Sequence, residues 1–319
     1  MREGLSSWEH PEWYARASAW VEGQLASVGR EVLAPLEQVR WWSLSRVLRV
    51  RTSGGNAYFK ASAKQPLFAS EGILLKYLTN VCPDRVPKVI STEPAFRWML
   101  LEDAGPVLSE IASPETKTAI LTTFAELQYA SVEHVDQLLA SCCVDRRVQT
   151  LIPEIDPLMN DELVTSKLGA YEIDELRRRV PDIIEMCSYL SEHAVPPTLI
   201  HGDLHSDNVI FKNSQLVVID WAEACIAHPF MDAFMIFNEE DDAVRNRMRD
   251  VYLQMWTDFE SIERLRELWS ICSVVHSIHH AVSYLTILHN STEARRKGEL
   301  DGTLPFLLRK TLRYLHEPA

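Results

Sequence analysis

The sequence lacks the features that would mark it as a zinc-binding, disulfide-stapled or secreted protein. Its 319 residues include only six cysteines, and none of them stand at the paired spacing of a zinc site. A chain of this size folds without disulfides, so we expect reduced core thiols. The N-terminal segment through Trp8 and Glu12 has no apolar core of signal-peptide length, and no later run approaches membrane-spanning length. These absences predict a cytoplasmic protein that is not bound to a membrane.

The chain also has no internal repeat and no low-complexity linker. Its apolar share of 46% is typical of a soluble globular protein and excludes disordered and fibrous classes. The formal net charge of −13 is uneven, since residues 1–104 carry 13 Lys+Arg against 11 Asp+Glu, whereas residues 105–319 carry 19 against 34. The acidic part would repel nucleic acid and attract a cationic metabolite, although acidity that only keeps the protein soluble explains it equally well.

Residues 1–104 have the pattern of a small antiparallel sheet with helices. Apolar residues at helical spacing predict a first helix over Trp13–Leu25, and Ser53-Gly54-Gly55-Asn56 between two β-rich runs is a hairpin signal. A change of chain character near Gly105-Pro106 predicts a domain boundary between residues 1–104 and 105–319. The elements predicted before it are strands Val47–Thr52 and Ala57–Ala61, a helix of about three turns after Pro66 that the Val81-Cys82-Pro83 segment ends, and strands Val86–Ser91 and Arg97–Glu102.

Residues 105–319 are predicted to be mostly helical, with one short β stretch over Val209–Trp221. The fold class is therefore α+β, with a small sheet domain followed by a larger helical one. The predicted helices cover Glu115–Ala140, Ile173–His193, Ala243–Phe259, Ile262–Leu288 and Leu304–Leu315.

The segment with the clearest chemistry runs from Leu199 to Trp221. Two apolar β runs enclose a polar loop, and the side chains of Asp203, Asn208 and Asp220 lie at or beside the ends of these runs. Such a hairpin can gather hard oxygen ligands at one point, which is what Mg²⁺ requires.

This segment resembles the aminoglycoside phosphotransferases and choline-kinase-like enzymes, which are relatives of protein kinases. Their pattern His-Gly-Asp-x-His-x-x-Asn, followed by Ile-Asp-Trp, is met without a gap by residues 201–208 and 219–221. The resemblance implies a bilobal protein-kinase-like fold, ATP as phosphoryl donor with GTP as the alternative, and Mg²⁺. It also implies that Asp203 is the catalytic carboxylate, that Asn208 and Asp220 bind the metal, and that His201 and His205 support the loop.

The family also needs a lysine–glutamate pair that holds the nucleotide phosphates. Lys60 ends a predicted strand, and Glu71 lies on the next helix with Leu74, Leu75 and Leu78 at the spacing of one inward face. An inward carboxylate is costly to desolvate without a cationic partner, so we expect Glu71 to pair with Lys60.

Other nucleotide contacts follow from the resemblance with less sequence support. The loop over the phosphates is expected at residues 41–46, where the segment contains no glycine and offers Ser43 and Ser45 instead. Leu100, Leu101 and Glu102 are expected to read the adenine edge through their backbone. Asp232 is expected to hydrogen-bond the catalytic-loop backbone as a structural residue.

Two further clusters have open interpretations. His276, His279 and His280 share one apolar helix, where they are hydrogen-bonded core residues, substrate contacts or, least in keeping with the pattern, metal ligands. Glu239 and Glu240 belong to an acidic run, 238–242, that is either a solvated helix start or a binding surface for a cationic substrate.

Three functions are compatible with these residues. The first is an ATP- and Mg²⁺-dependent O-phosphotransferase that acts on a small, cationic, hydroxyl-bearing metabolite or antibiotic. A protein kinase is disfavoured because neither an Asp-Phe-Gly triplet nor an Ala-Pro-Glu-ended activation segment follows Asp220. A nucleotide-binding pseudokinase or scaffold is disfavoured because every polar group that phosphoryl transfer needs is present.

Overall fold

The computed structural model describes Trp8 and residues 11–42, 44–108, 113–212, 215–292 and 302–317. The chain divides into two compact units. Unit 1 comprises Met1–Lys64, Ser70–Val107 and Val209–Ala222, and unit 2 comprises Gln65–Ala69, Leu108–Asn208 and Glu223–Ala319. Unit 1 thus combines the region predicted as the N-terminal domain with a later segment that contains Asp220. The role of that domain in nucleotide binding stays a prediction.

Unit 1 is built on a five-stranded antiparallel sheet with the strand order β1-β2-β3-β5-β4. Strand β3 is central, and its Lys60 lies opposite Val47 on β2 and Met99 on β5. The predicted hairpin turn falls between β2 and β3, where Gly55 has a φ of 100° that favours glycine. The strand β1 was not predicted. The bounds are β1 Glu37–Trp42, β2 Ser45–Thr52, β3 Gly55–Ser62, β4 Val89–Glu93 and β5 Trp98–Glu102.

Two helices accompany this sheet, α1 (Pro11–Ser27) and α2 (Glu71–Val81). The buried residues of α1 recur every four positions, and its Trp13 ring lies 6.1 Å from the Phe59 ring of β3. Aromatic packing on the sheet therefore holds α1, as its tryptophan content predicts. Helix α2 begins at Glu71, has the predicted length of about three turns and ends at Val81, in the segment predicted to end it. Unit 1 is completed by the hairpin of β8 (Val209–Lys212) and β9 (Gln215–Val218).

Unit 2 is mainly helical and contains a three-stranded sheet in the order β6-β10-β7. The predicted helix over 115–140 is divided by a 3-10 turn at Val132–His134. The elements are α3 Pro114–Ser131, α4 Val135–Ser141, β6 Val144–Asp145, α5 Val148–Asn160, α6 Glu162–Thr165, α7 Ala170–Ser191, β7 Thr198–Ile200, β10 Cys225–Ala227, α8 Phe234–Phe237, α9 Asp242–Gln254, α10 Ile262–His289 and α11 Thr303–His316. Together with the sheet of unit 1, they confirm the predicted α+β class.

Helix α5 was missed because Pro153 and Pro157 are helix breakers in a sequence pattern. Both prolines are exposed, so the carbonyl groups deprived of a donor within the helix face solvent. The opposite face buries Leu151, Ile155 and Leu158, and this apolar packing outweighs the cost of the prolines.

Helix α10 is long and apolar enough to span a membrane by length and composition, with a mean hydropathy of 1.3 in its most apolar window. The prediction that no run approaches this length is therefore wrong for α10. Of that window, 78% is buried inside the protein, which explains its apolar character as a core helix. All six cysteines are free thiols, and only Cys82 is not fully buried.

Candidate active site

The buried carboxylate of Asp232 holds the start of the loop 201–208 through backbone hydrogen bonds. Asp232 accepts hydrogen bonds from the backbone N–H groups of His201 and Gly202, the latter at 2.9 Å. Gly202 has a φ of 85°, and a Cβ atom there would lie 2.5 Å from the carbonyl oxygen of Glu223. The loop therefore passes where only glycine fits, immediately before Asp203. Burial raises the pKa of Asp232 to about 7, and the two N–H donors oppose that shift.

Asn208 fixes the orientation of Asp203. Its Nδ2 group lies 2.9 Å from the backbone oxygen and 3.2 Å from the Oδ2 atom of Asp203, and 3.1 Å from Nε2 of His205. Because both Asp203 atoms are acceptors, the amide nitrogen must face them. The Asp203 carboxylate remains 40% exposed, so it can still contact a ligand.

The oxygen atom of the Asn208 side-chain amide, Oδ1, is available as an acceptor or a metal ligand. Asn208 is buried, and no hydrogen-bond partner for its Oδ1 atom lies within the described residues. A buried oxygen without a partner is costly, and a metal ion or a water would satisfy it. An amide oxygen is a hard ligand of the kind that Mg²⁺ accepts, so this residue fits the predicted metal role.

In unit 1, Lys60, Glu71 and Asp220 form a buried charge cluster. Lys60 Nζ lies 2.8 Å from Glu71 Oε1 and 2.6 Å from Asp220 Oδ1. Glu71 also accepts the Trp221 N–H at 3.0 Å. The predicted Lys60–Glu71 pair is thus present in the structure, and Asp220 joins it.

The electrostatics of this cluster keep the lysine charged. Burial disfavours its ammonium form, but Asp220 and Glu71 outweigh burial and hold the pKa of Lys60 above its usual value. Burial raises the pKa of Glu71, an effect that Lys60 opposes. Asp220 adopts a φ of 66°, a left-handed conformation that is uncommon outside glycine and occurs at functional sites. Its carboxylate side chain is 31% exposed and supplies hard oxygen atoms for a cation.

A cavity of about 360 Å³ in unit 2 opens beside Asp203. It is lined by the loop 201–208, by Glu223, and by residues of α3, α8, α10 and α11. Sequence reasoning missed Lys117 and assigned no role to Glu223 or Tyr284, all of which contribute to this wall. The position of Glu223, three residues after Asp220, was the one local signal that could have found it.

The three histidines of α10 have different environments. His280 lines the cavity, whereas His276 and His279 are buried in helix packing. His276 Nδ1 and His280 Nε2 both donate to the carbonyl oxygen of Met231, at 2.7 and 2.9 Å. Burial lowers the pKa of His280 to about 3 and that of His276 far below its usual value, so both rings are neutral. Among the described residues, no group of three His, Cys, Asp or Glu side chains is arranged to hold a metal.

The remaining predicted residues are placed as follows. Ser43 lies outside the described residues, and Ser45 begins β2, opposite Trp42. Leu100 and Leu101 lie in β5, which has strands on both sides, so the first backbone free of the sheet follows Glu102. The Glu102 side chain is paired with Arg30 by two hydrogen bonds of 2.9 Å.

The acidic run does not present both of its glutamates in the same way. Glu239 is paired with Lys117 at 2.7 Å, and this hydrogen bond holds the pKa of Glu239 below its usual value. Glu240 is exposed, just before the cap residue Asp241 of α9.

Comparison with known proteins gives a family and a fold. Residues 36–268 match the model of a phosphotransferase enzyme family, APH. No curated protein sequence matches the chain significantly. The structure resembles a choline/ethanolamine kinase family protein from Mesorhizobium loti, with 14% identity, a TM-score of 0.63, and coverage of 95% of this chain and 96% of that chain.

Two further solved structures are similar over nearly their whole length. Choline kinase LicA from Streptococcus pneumoniae has 15% identity and a TM-score of 0.62, covering 94% of this chain and 99% of that chain. The GDP complex of a mutant aminoglycoside 2′-phosphotransferase IIIa has 13% identity and a TM-score of 0.68, covering 95% and 98%. At such identities the likeness shows the fold alone, and it confirms the predicted kinase-like fold.

Proposed function

Because the chain belongs to the phosphotransferase enzyme family and is a small-molecule kinase, we propose that it transfers the γ-phosphoryl group of ATP to a hydroxyl group of a small cationic acceptor. The acceptor is a metabolite or an antibiotic. GTP is the alternative donor, since one structural neighbour is a GDP complex. The observation that carries the proposal is the Asp203–Asn208 arrangement, in which a fixed, partly exposed carboxylate borders a ligand-sized cavity.

In the proposed mechanism, Asp203 accepts the proton of the acceptor hydroxyl, or orients it, as the oxygen attacks the γ-phosphorus. The amide of Asn208 holds the carboxylate in place through Nδ2. Phosphoryl transfer mainly requires positioning and charge neutralisation, so a fixed carboxylate suffices without a covalent nucleophile.

Further residues would bind the metal and the nucleotide. Asn208, through its open Oδ1 atom, and Asp220, through its carboxylate, would hold Mg²⁺. When bound, this ion neutralises negative charge on the transferred phosphates. Lys60, held by Glu71, would contact the α- and β-phosphates. Of the predicted hinge Leu100–Glu102, the backbone that leaves the sheet after Glu102 would contact the adenine ring. Ser43 and Ser45 would lie at the phosphate loop.

A cationic acceptor is supported by the two carboxylates of the cavity wall, Asp203 and Glu223. The acidic balance of residues 105–319 adds a long-range attraction. Its apparent affinity should fall as the ionic strength rises from about 0.01 M to about 0.15 M, because the Debye length shrinks from roughly 30 Å to roughly 8 Å. An uncharged best acceptor with salt-insensitive kinetics would contradict the charge assignment and leave the kinase assignment standing.

The central test is Asp203→Asn, with Asp207→Asn as control because Asp207 is an exposed carboxylate in the same loop. We expect the Asp203 variant to retain Mg-ATP affinity and thermal stability while phosphoryl transfer, or slow ATP hydrolysis without acceptor, falls by about a hundredfold or more. The control should keep its rate. Unchanged turnover in Asp203→Asn would refute the catalytic assignment, and absence of turnover in the wild type would favour a pseudokinase.

A further inference from the structure

The wall of the cavity beside Asp203 has a cationic stretch. Lys117, in the first turn of α3, and Asn238, at the end of α8, both line the cavity. Lys117 Nζ is held by Glu239, and the Asn238 Oδ1 atom accepts a hydrogen bond of 2.5 Å from Lys310 Nζ. Because its oxygen is engaged by Lys310, the amide of Asn238 has its two N–H donors left for other partners.

The positive charge of this stretch is only partly balanced. The carboxylate of Glu239 neutralises the charge of Lys117, but within the described part of the chain no carboxylate pairs with Lys310. Lys310 is half-buried among the rings of Phe237, Phe306 and Tyr314, whose centroids lie 6.0, 5.9 and 5.6 Å from its Nζ atom. Burial lowers the pKa of Lys310 to about 8, so the side chain is still mainly charged at neutral pH. One positive charge therefore remains beside the cavity without a counter-charge.

The same cavity carries negative charge elsewhere on its wall, from Asp203 and Glu223. An acceptor with an ammonium group alone would complement the charge of these carboxylates but would offer no group of opposite charge to the cationic stretch. An acceptor with a negative group as well would match both stretches.

We propose that the acceptor is a small zwitterion, whose ammonium group binds near Glu223 and whose carboxylate-type anionic group binds Lys117 and Asn238 beside Lys310. This inference rests on the proposed kinase function and replaces its cationic acceptor by one that carries a cationic and an anionic group. Because such an acceptor has no net charge, its affinity should depend on salt less than that of a cation. The cavity volume of about 360 Å³ lies at the lower end of the range for ligand pockets, so it has room for a small metabolite.

The test uses matched sets of hydroxyl compounds that differ only in charged groups. One set is 2-amino-4-hydroxybutanoate, 3-aminopropan-1-ol, 4-hydroxybutanoate and propan-1-ol, which carry both groups, the ammonium group alone, the carboxylate alone and neither. Further sets vary the carbon skeleton. The assay is ADP release by the full chain with Mg-ATP, reported as kcat/KM for each compound.

We expect the best set to favour its zwitterion over its amine by roughly ten- to a hundredfold, as for a lost charge-assisted hydrogen bond. Lys117→Met should remove this preference by raising KM for the zwitterion far more than KM for the amine, with KM for Mg-ATP unchanged. Lys117→Arg should retain most of the preference. Lys76→Met, which changes an exposed lysine of unit 1, should have no effect.

Each other outcome decides the matter. An amine preferred over its zwitterion in the best set, or a preference that survives Lys117→Met, overturns this inference and leaves the kinase assignment intact. Failure of every set, with ATP turnover still dependent on Asp203, also overturns it. If ATP turnover does not depend on Asp203 at all, the proposed function itself fails.

Discussion

Replacement of Lys60 by Met tests the buried charge cluster of unit 1. The substitution keeps the apolar stem and removes the ammonium group that lies 2.8 Å from Glu71 and 2.6 Å from Asp220. At an effective dielectric constant of about 20, each of these contacts amounts to roughly 6 kcal/mol of gross attraction. Most of that is offset by the cost of taking the ions out of water, and the share of Asp220 is reduced further because its side chain is 31% exposed.

The net effect should still be large. Loss of one partner from a buried ion pair leaves the other charge uncompensated, so we expect the free energy of unfolding to fall by about 3–5 kcal/mol. The measurement is urea denaturation at pH 7, with Lys64→Met as control because Lys64 is an exposed lysine four residues along the chain. The double variant Lys60→Met/Glu71→Gln should recover part of the loss, since it removes the stranded carboxylate.

The loss of unfolding free energy in Lys60→Met should depend on pH. Without Lys60, burial and the neighbouring charge of Asp220 both raise the pKa of Glu71 above its unfolded value. A carboxyl group with a raised folded pKa stabilises the fold below its unfolded pKa, and this contribution is lost as the pH rises through the folded pKa. The free energy of unfolding of Lys60→Met should therefore be lowest near pH 7 and rise as the pH falls towards the unfolded pKa of glutamate. A loss no greater than that of Lys64→Met, with no such pH dependence, would refute the reasoning.

Three further predictions concern the loop 201–208 and the proposed metal ligands. Gly202→Ala should lower the free energy of unfolding by about 1–3 kcal/mol or more, because φ is 85° and the new Cβ would meet the Glu223 carbonyl at 2.5 Å. Gly23→Ala, with open space around it, is the control, and equal stability of the two variants would contradict this reasoning. Since the pKa of Asp232 is raised to about 7, its stabilising contribution should be lost as the pH rises from about 4 through 7. This part of the pH dependence of the free energy of unfolding should vanish in Asp232→Asn. An unchanged pH dependence in that variant would argue against the raised pKa. Asp220→Ala should weaken Mg-ATP binding in calorimetric titration more than Asn208→Ala, because a carboxylate supplies charge where an amide supplies a neutral oxygen, and wild-type affinity in Asp220→Ala would place the metal elsewhere.

Local sequence patterns were sufficient to predict the parts of the candidate site whose residues lie on a single helix or loop. The spacing of Leu74, Leu75 and Leu78 defined the inward face of α2, and the structure indeed buries Glu71 beside Lys60. The loop motif likewise placed Asp203 within reach of Asn208, because five residues form a closed turn. Helix α5 could not be predicted in this way, since whether Pro153 is tolerated depends on which face is exposed.

The wall of the cavity was the least predictable part of the candidate site. Its residues come from the loop 201–208, α3, α8, α10 and α11. Nothing in the sequence around Lys117 indicates that it meets Glu239, 122 positions later. Sequence reasoning offered Glu239 as a binding group for a cation. The structure shows its carboxylate engaged by Lys117, so that the acidic run alone does not determine the charge that the cavity presents.

Two histidines of α10 connect the core to the loop 201–208 through the backbone. His276 and His280 both donate to the Met231 carbonyl, which accepts two hydrogen bonds through its two lone pairs. The next residue, Asp232, accepts the N–H groups of His201 and Gly202, and the following peptide carries Asp203. A carbonyl can only accept, so each ring must carry its proton on the nitrogen that faces Met231. The lowered pKa values of both rings keep them neutral, and protonation would bring two positive charges into a buried site. The histidines therefore orient the turn that fixes the position of Asp203, and His280 does so from the wall of the cavity itself.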